Sequence, residues 1–400
     1  MGTNGQAGRL TFLWTVVLVV AGARQAVSGT RSVVASLEGP RTVVFDSSMD
    51  GCDKVDIPDA PARAFRDDQG AVHLIASHYV TRASIGSSLD TVKHDCQVVF
   101  RSKRSANPAE LDDSTWLLSF YDIDGKRVAA LGHMEFHGWE HPGMCAVKDF
   151  TKTCWYNVVM FHVSEDGGYH FGPARAPSAF VAGLPYRYEV NQGIEGYSVG
   201  SNIIKVGSWY YAMLRGWNWP ADCVETKQPC LVRFGAAPMR TENILDPSSW
   251  RGWDGKAFNV AFAYPYGEPI DRPQDHVYKP VDHMDYVNSL NFHEASGLYI
   301  ATLWNPYNHA YGEEGLYFST SKDLVHWSKP ALVVAQSRLM AEESKGRWSF
   351  MYFSLIDPRS NDPNFSTVTD EPYLYYVRTD RGHPPNTRVL FRQKIKLKWQ

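Results

Sequence analysis

The sequence predicts an all-β fold, on three observations. Its 400 residues include 13 Trp, 21 Tyr and 19 Phe, side chains that suit pleated, half-buried surfaces. They also include 31 Gly and 23 Pro, which divide a chain into short strands and turns. Helical periodicity over more than ten residues is hard to find beyond the N-terminal segment, whereas strand–turn–strand units recur. Five such units of about 60–70 residues predict a five-bladed β-propeller, whose radial closure hides strand edges. A two-sheet β-sandwich is the alternative. It accounts for the strands but not for their repetition.

The first unit is Ala64-Phe65, a turn at Asp67-Asp68-Gln69-Gly70, then Val72–Ala76. The second is Trp116–Phe120, Asp122-Ile123-Asp124-Gly125, then Val128–Leu131. The third runs from Asn202–Val206 through Gly207-Ser208 to Trp209–Leu214. The fourth joins Ser289–Phe292 to Leu298–Thr302 across Ala295-Ser296-Gly297, and the fifth pairs Phe350–Ser354 with Tyr373–Val377. Two turns, Ser164–Phe171 and Ser321–Ser328, each place an Asp after a Ser and end on an aromatic. Their Asp residues are structural. The terminal strands Thr42–Phe45 and Val389–Phe391 are expected to complete one sheet together.

The N-terminus sets the compartment. Arg9 precedes an apolar run, Phe12–Ala21, and small residues follow around Ala26–Gly29. That is the order of a secretory signal peptide, and the run is short for a membrane span. Residues 1–29 therefore read as signal peptide and 30–400 as a single domain, secreted, with no stable membrane span after cleavage and expected to be a monomer. An uncleaved anchor is the alternative. Six cysteines, an even number, suit an oxidising compartment. Cys145 with Cys154 and Cys223 with Cys230 are local pairs, leaving Cys52 and Cys96 to each other. No C-x-x-C pair occurs, which argues against zinc. Asn364-Phe365-Ser366 is a glycosylation sequon. At 44% hydrophobic and 21% charged residues the chain is ordinary globular material. A net charge of −3 supplies no basic field for nucleic acid.

Three segments together resemble the five-bladed propeller glycosidases of the arabinanase, β-xylosidase and invertase superfamily. They are the acidic stretch Asp56–Phe65, the segment Gly193-Ile194-Glu195-Gly196 ahead of the third hairpin, and Ser-Lys-Asp-Leu-Val-His-Trp at 321–327. The stretch His133-Met134-Glu135-Phe136-His137-Gly138, with Cys154-Trp155-Tyr156-Asn157, also resembles secreted sialidase-like propeller proteins. The first resemblance implies glycoside cleavage, which needs one carboxyl to protonate the leaving oxygen and another to activate water or attack the anomeric carbon. In a propeller these would converge from different blades on one axial funnel.

Asp59 is the expected base or nucleophile, with Asp56 in reserve, and Glu195 the expected general acid. Glu135 is a third candidate. Alternation along a strand puts it on one face with His133 and His137, where the imidazoles would tune an acid or bind sugar hydroxyls. The trio also has the look of a metal site, but without a further ligand. His283 and Asp285 form another polar cluster, alternatively a solvated loop. Arg63 would clamp a carboxylate or hold Asp59, or else pair with Asp67 or Asp68. Trp139, Trp155, Trp217, Trp219 and Trp304 lie in or beside loops, and one or two are expected to stack against sugar. No cofactor is expected. A structural calcium is compatible with such folds, although no calcium loop is visible. The partner expected is a carbohydrate substrate. The rival functions are a sialidase, with Arg63, Arg215 and Arg378 converging on a substrate carboxylate, and a non-catalytic carbohydrate-binding module.

Overall fold

Hydrophobic alternation along the chain is realised as strands that hydrogen-bond mostly to their sequence neighbours. The computed structural model describes residues 1–2, 33–76, 78–146, 153–218, 232–306, 311–341, 343, 348–380 and 387–400. Residues 3–29 of the expected signal segment and the Cys223–Cys230 pair lie outside them. Among the described residues no helix is long and apolar enough to cross a membrane, and the chain is nearly all β.

All five expected hairpins form. Arg63–Arg66 pairs antiparallel with Val72–Ile75, and Ser114–Asp122 with Val128–His137. In the third unit Ile204–Val206 pairs with Trp209–Asn218, which also pairs with Ile194–Val199. Val287–His293 pairs with Leu298–Asn305, and Trp348–Ile356 with Tyr373–Asp380. The fifth sheet is completed by both chain ends: Val33–Asp46 lies against Arg388–Trp399, with Val43 opposite Phe391 and Phe45 opposite Leu390. The second and third units are one continuous sheet, because Trp155–Asn157 pairs parallel with Ile194–Gly196. Gly196 is required there. Its φ is +115°, and a Cβ would fall on the Asn157 carbonyl.

Most of the apolar side chains pack between neighbouring units, while one cluster around Met134, Phe136, Tyr156 and Met160 lies within the second. Phe65 and Ile75 of the first unit meet Leu117, Phe120 and Ala130 of the second. Leu131 and Val159 meet Tyr197 and Leu214 of the third. Met213 and Ala236 meet Leu290 and Leu303 of the fourth. Phe318 meets Phe350 and Phe353 of the fifth. Tyr375 and Leu390 return to Val72 and Leu74 of the first. Each sheet thus buries both faces.

Polar groups tie the first strands of the units to one another. Arg63 donates from Nε to the Leu118 carbonyl (2.8 Å) and from Nη2 to that of Gly200 (3.2 Å). Ser119 Oγ donates to the Ser201 carbonyl. Asn202 donates to the Leu290 carbonyl (2.9 Å) and accepts from the Leu290 N–H (2.8 Å). Asn288 Oδ1 accepts from Phe353 N–H (3.0 Å), and Asn291 Nδ2 donates to the Leu355 carbonyl (3.2 Å).

Two disulfides brace the periphery: Cys52–Cys96, with Cα atoms 5.7 Å apart, and Cys145–Cys154, 5.6 Å apart. The sequon asparagine is a different matter. Asn364 is buried, its amide donating to the Asp122 carbonyl (3.0 Å) and its oxygen accepting from the Asp122 N–H. The folded chain offers no room for a glycan there.

The strand-to-strand bonds predict a stability effect. Asn202→Ala strips both partners from Leu290, leaving a buried donor and acceptor unmet. It should cost about 1–3 kcal/mol in urea denaturation, and an unchanged midpoint would show that Asn202 does not join the third and fourth units.

Candidate active site

A cavity of about 320 Å³ is lined by residues from all five units, among them Pro61, Leu118, Val199, Asn288 and Tyr352. Arg63 bonds carbonyls of two lining residues, Leu118 and Gly200. Among the described residues it has no carboxylate partner, neither Asp59 nor Asp67 or Asp68, which corrects the clamp and ion-pair readings. Burial pulls its pKa down to about 9, so it keeps its charge at neutral pH.

Asp59 reaches the cavity from a segment outside any strand, between Pro58 and Pro61, whose rings restrict the backbone on either side. Its carboxylate accepts from Tyr352 OH (2.9 Å), Trp116 Nε1 (3.3 Å) and Arg388 Nη1. His78 Nε2 lies 3.6 Å away. Asp56, the reserve candidate, is elsewhere: it is buried against His94 (2.8 Å) and the Cys52 N–H (2.9 Å).

Glu135 also lines the cavity, and strand alternation puts both histidines beside it. His137 Nε2 is 2.8 Å from Oε2, and His133 Nδ1 is 3.3 Å from Oε1. His133 is buried and passes its Nε2 to Asn157 Oδ1 (2.9 Å). Burial lowers the His133 pKa, with Glu135 opposing. His137 goes the other way. Burial works against its charge, but Glu135 and Glu140 outweigh it and raise the pKa to about 9. Glu140 sits 3.4 Å from His137 Nδ1, an ion pair without a well-aligned hydrogen bond. With His137 and Arg104 as partners, its pKa falls to about 2. The histidines are thus engaged with carboxylates and an amide. Among the described residues the donors close enough to share one ion are those of Cys52, Asp56 and His94, and the Cys52 sulfur is committed to a disulfide.

The other expected residues divide. Glu195 does not line the cavity, although its neighbour Ile194 does. Its segment is taken up in parallel pairing with Trp155–Asn157, and Asn157 Nδ2 donates to the Glu195 carbonyl (2.9 Å). Burial and nearby Glu189 raise its pKa. His283 is exposed at φ +65°. Asp285 is buried, its Oδ1 3.2 Å from Arg215 Nε. Of the three arginines expected for a sialidase, only Arg215 lines the cavity. Arg378 pairs with Glu343 at 2.7 Å. Among the described residues four tryptophans line it, where one or two were expected: Trp116, Trp155, Trp217 and Trp304. Trp139 instead stacks on His137, with centroids 4.3 Å apart, and Trp219 lies outside the described residues. Trp116, Tyr352 and Arg388 carried no sequence signal, because each acts through a partner distant in the chain.

No family model matches the sequence, and no curated protein matches it. Among solved structures it is similar to a mutant α-L-arabinanase of Cellvibrio cellulosa, with 10% identity, 84% of this chain and 90% of that one covered, and a TM-score of 0.44. A glycosyl hydrolase from Bacteroides ovatus shares 9% identity over 90% and 93%, with a TM-score of 0.47. A family GH43 β-xylosidase/α-arabinofuranosidase from a compost microbial metagenome shares 11% over 92% and 95%, at 0.44. A likeness of this depth leaves the function to be read from the site.

The His137 cluster predicts a pH dependence of stability. Its folded pKa of about 9 exceeds the ordinary value of 6.5. The stabilisation is therefore present in full below 6.5 and lost as pH rises through about 9. Thermal melts across this window should show Tm falling in the wild type, with that component missing in His137→Gln. A wild-type Tm that is flat or rising there refutes the assignment.

Proposed function

We propose that the five units are the blades of a five-bladed β-propeller, and that residues 30–400 form a secreted glycoside hydrolase acting on an oligo- or polysaccharide. The observation that carries this reading is the convergence of Asp59 and Glu135, from separate units, on one tryptophan-walled cavity. Aromatic walls with a few polar groups suit sugar rings. Two carboxylates on one cavity suit an oxocarbenium-like transition state.

Asp59 is the base or nucleophile. Arg388, Tyr352 and Trp116 leave it no freedom to turn, which suits a group that must meet water or the anomeric carbon in one orientation. Glu135 takes the place of Glu195 as the proton donor. Its proton comes along the 2.8 Å bond from His137: as the leaving oxygen gains charge, the imidazolium gives its proton to the Glu135 carboxylate, which hands one on to that oxygen, and His137 is left neutral. The sialidase alternative would require its arginines on the cavity, and Arg63 and Arg378 are committed elsewhere.

Turnover of a panel of p-nitrophenyl glycosides and polysaccharides tests the reading. Asp59→Asn and Glu135→Gln should each lower kcat by about 100-fold or more with the circular-dichroism spectrum of the folded protein retained at the assay temperature, and Glu195→Gln should stay near wild type. Turnover unaffected by the first two variants rejects the carboxylate pair. An inactive wild type that still binds oligosaccharide favours the binding-module reading.

A further inference from the structure

The Asp59 and Glu135 roles leave Arg215 unused. It stands on the strand Trp209–Asn218 and lines the same cavity. Its guanidinium carbon lies 3.0 Å from the ring centroid of Tyr286 and 4.4 Å from that of Trp217. Asp285 takes Nε at 3.2 Å. Held in this way, the guanidinium has few orientations open to it. Yet Nη2 is buried and has no hydrogen-bond partner among the described residues. A buried guanidinium nitrogen without an acceptor costs stability, and such a cost at a cavity wall fits a donor kept for a ligand.

A second observation concerns charge. The carboxylates lining the cavity are each paired with a cation: Asp59 with Arg388, and Glu135 with His137. Arg63 is not balanced in this way. Its guanidinium contacts only the carbonyls of Ala62, Leu118 and Gly200, and the last two belong to lining residues. A charge held against the cavity wall without a counter-ion makes the space favourable for an anion. A neutral sugar would leave Arg215 Nη2 without a charged acceptor.

We infer that the cavity binds an acidic sugar, with the carboxylate of a uronic acid residue received by the guanidinium of Arg215. The planar fork of arginine matches a carboxylate bidentately, and one edge of the fork is already fixed by Asp285. The rings of Trp217 and Tyr286 hold the fork in place before the ligand arrives, so less ordering remains to be done on binding. This deepens the glycoside reading by naming the substrate class of the same site.

The test reads binding, so that it stands apart from turnover. Disaccharides of glucuronate, galacturonate and mannuronate are titrated against the whole protein, each beside its neutral methyl ester, with tryptophan fluorescence as the signal; Trp217 lies under the guanidinium. At least one free acid should bind roughly tenfold or more tighter than its ester, and added salt should narrow the gap. Arg215→Gln should erase the difference between acid and ester. Arg215→Lys, which keeps the charge but loses the fork, should retain only part of it. If no acid binds tighter than its ester, the inference is overturned, a result that needs no variant to fold. A preference unchanged in Arg215→Gln overturns the role of Arg215. Tighter binding of galactose 6-sulfate or glucose 6-sulfate than of any uronate overturns the choice of carboxylate over sulfate. Failure of the hydrolysis assays would leave acid-selective binding in force. Hydrolysis of neutral glycosides with no acid preference would sink this inference and spare the glycosidase.

Discussion

Arg63 is the interaction on which the centre of this fold depends. A guanidinium buried with no carboxylate is costly unless every direction it points in offers an acceptor. The acceptors here are backbone carbonyls of the first, second and third units. The chain can satisfy the charge only by bringing these first strands to one place. Asn202, Asn288 and Asn291 continue the same device toward the fourth and fifth units. First strands that approach one another edge to edge cannot all pair as ladders. Side chains that both donate and accept take over that role. The apolar clusters between units supply most of the burial, but hydrophobic contact has no direction. The polar bonds fix which strand meets which.

The same logic governs the site. Asp59 enters before the first unit, yet its partners come from Trp116 of the second and from Tyr352 and Arg388 of the fifth. Asp285, just ahead of the fourth unit, holds Arg215 of the third. These pairs hold the units in register and also set the orientation of the groups that face the cavity. Disturbing a neighbouring unit would therefore be felt at Asp59 before the fold failed. Glu135 is built differently. Its partners His133 and His137 lie two residues away on its own strand, so its environment depends on one strand remaining extended.

That difference explains what was legible beforehand. The alternation His133-x-Glu135-x-His137 is a local signal, and the three side chains do cluster. The hairpins were readable for the same reason, since turn and strand are written in adjacent residues. The pairing of the chain ends could be guessed because two unmatched strands remained. Glu195 is expected as the acid on the resemblance of its Glu-Gly segment to the propeller glycosidases, but Gly196 serves the close parallel approach of the Asn157 backbone. A glycine required by sheet pairing and one required by a loop look alike in sequence. Arginine usually finds an acid, so from sequence Arg63 is expected to clamp a carboxylate or pair with Asp67 or Asp68. Backbone carbonyls as its partners are invisible until the strands are placed. The sequon failed in the same way: Asn-x-Ser is a three-residue pattern, and the burial of Asn364 against Asp122 is decided 242 residues away.

Tyr352 shows where local rules yield to the site. It is not glycine, yet its φ is +60°, and the pairing of its strand shifts register between Met351 and Ser354. A bulky residue in the left-handed region is strained, and such strain persists only where surrounding contacts over-determine it. The irregularity coincides with the residue whose hydroxyl, 2.9 Å from Asp59, completes the carboxylate's setting. In a regular strand the residues alternate between faces, and a bulge is the ordinary way to re-aim one of them. Burial and the charge on Asp59 raise the pKa of that hydroxyl, so it stays a donor. The strained backbone and the fixed proton belong together: the strand gives up regular pairing at one residue, and the cavity gains a hydrogen bond whose direction cannot reverse.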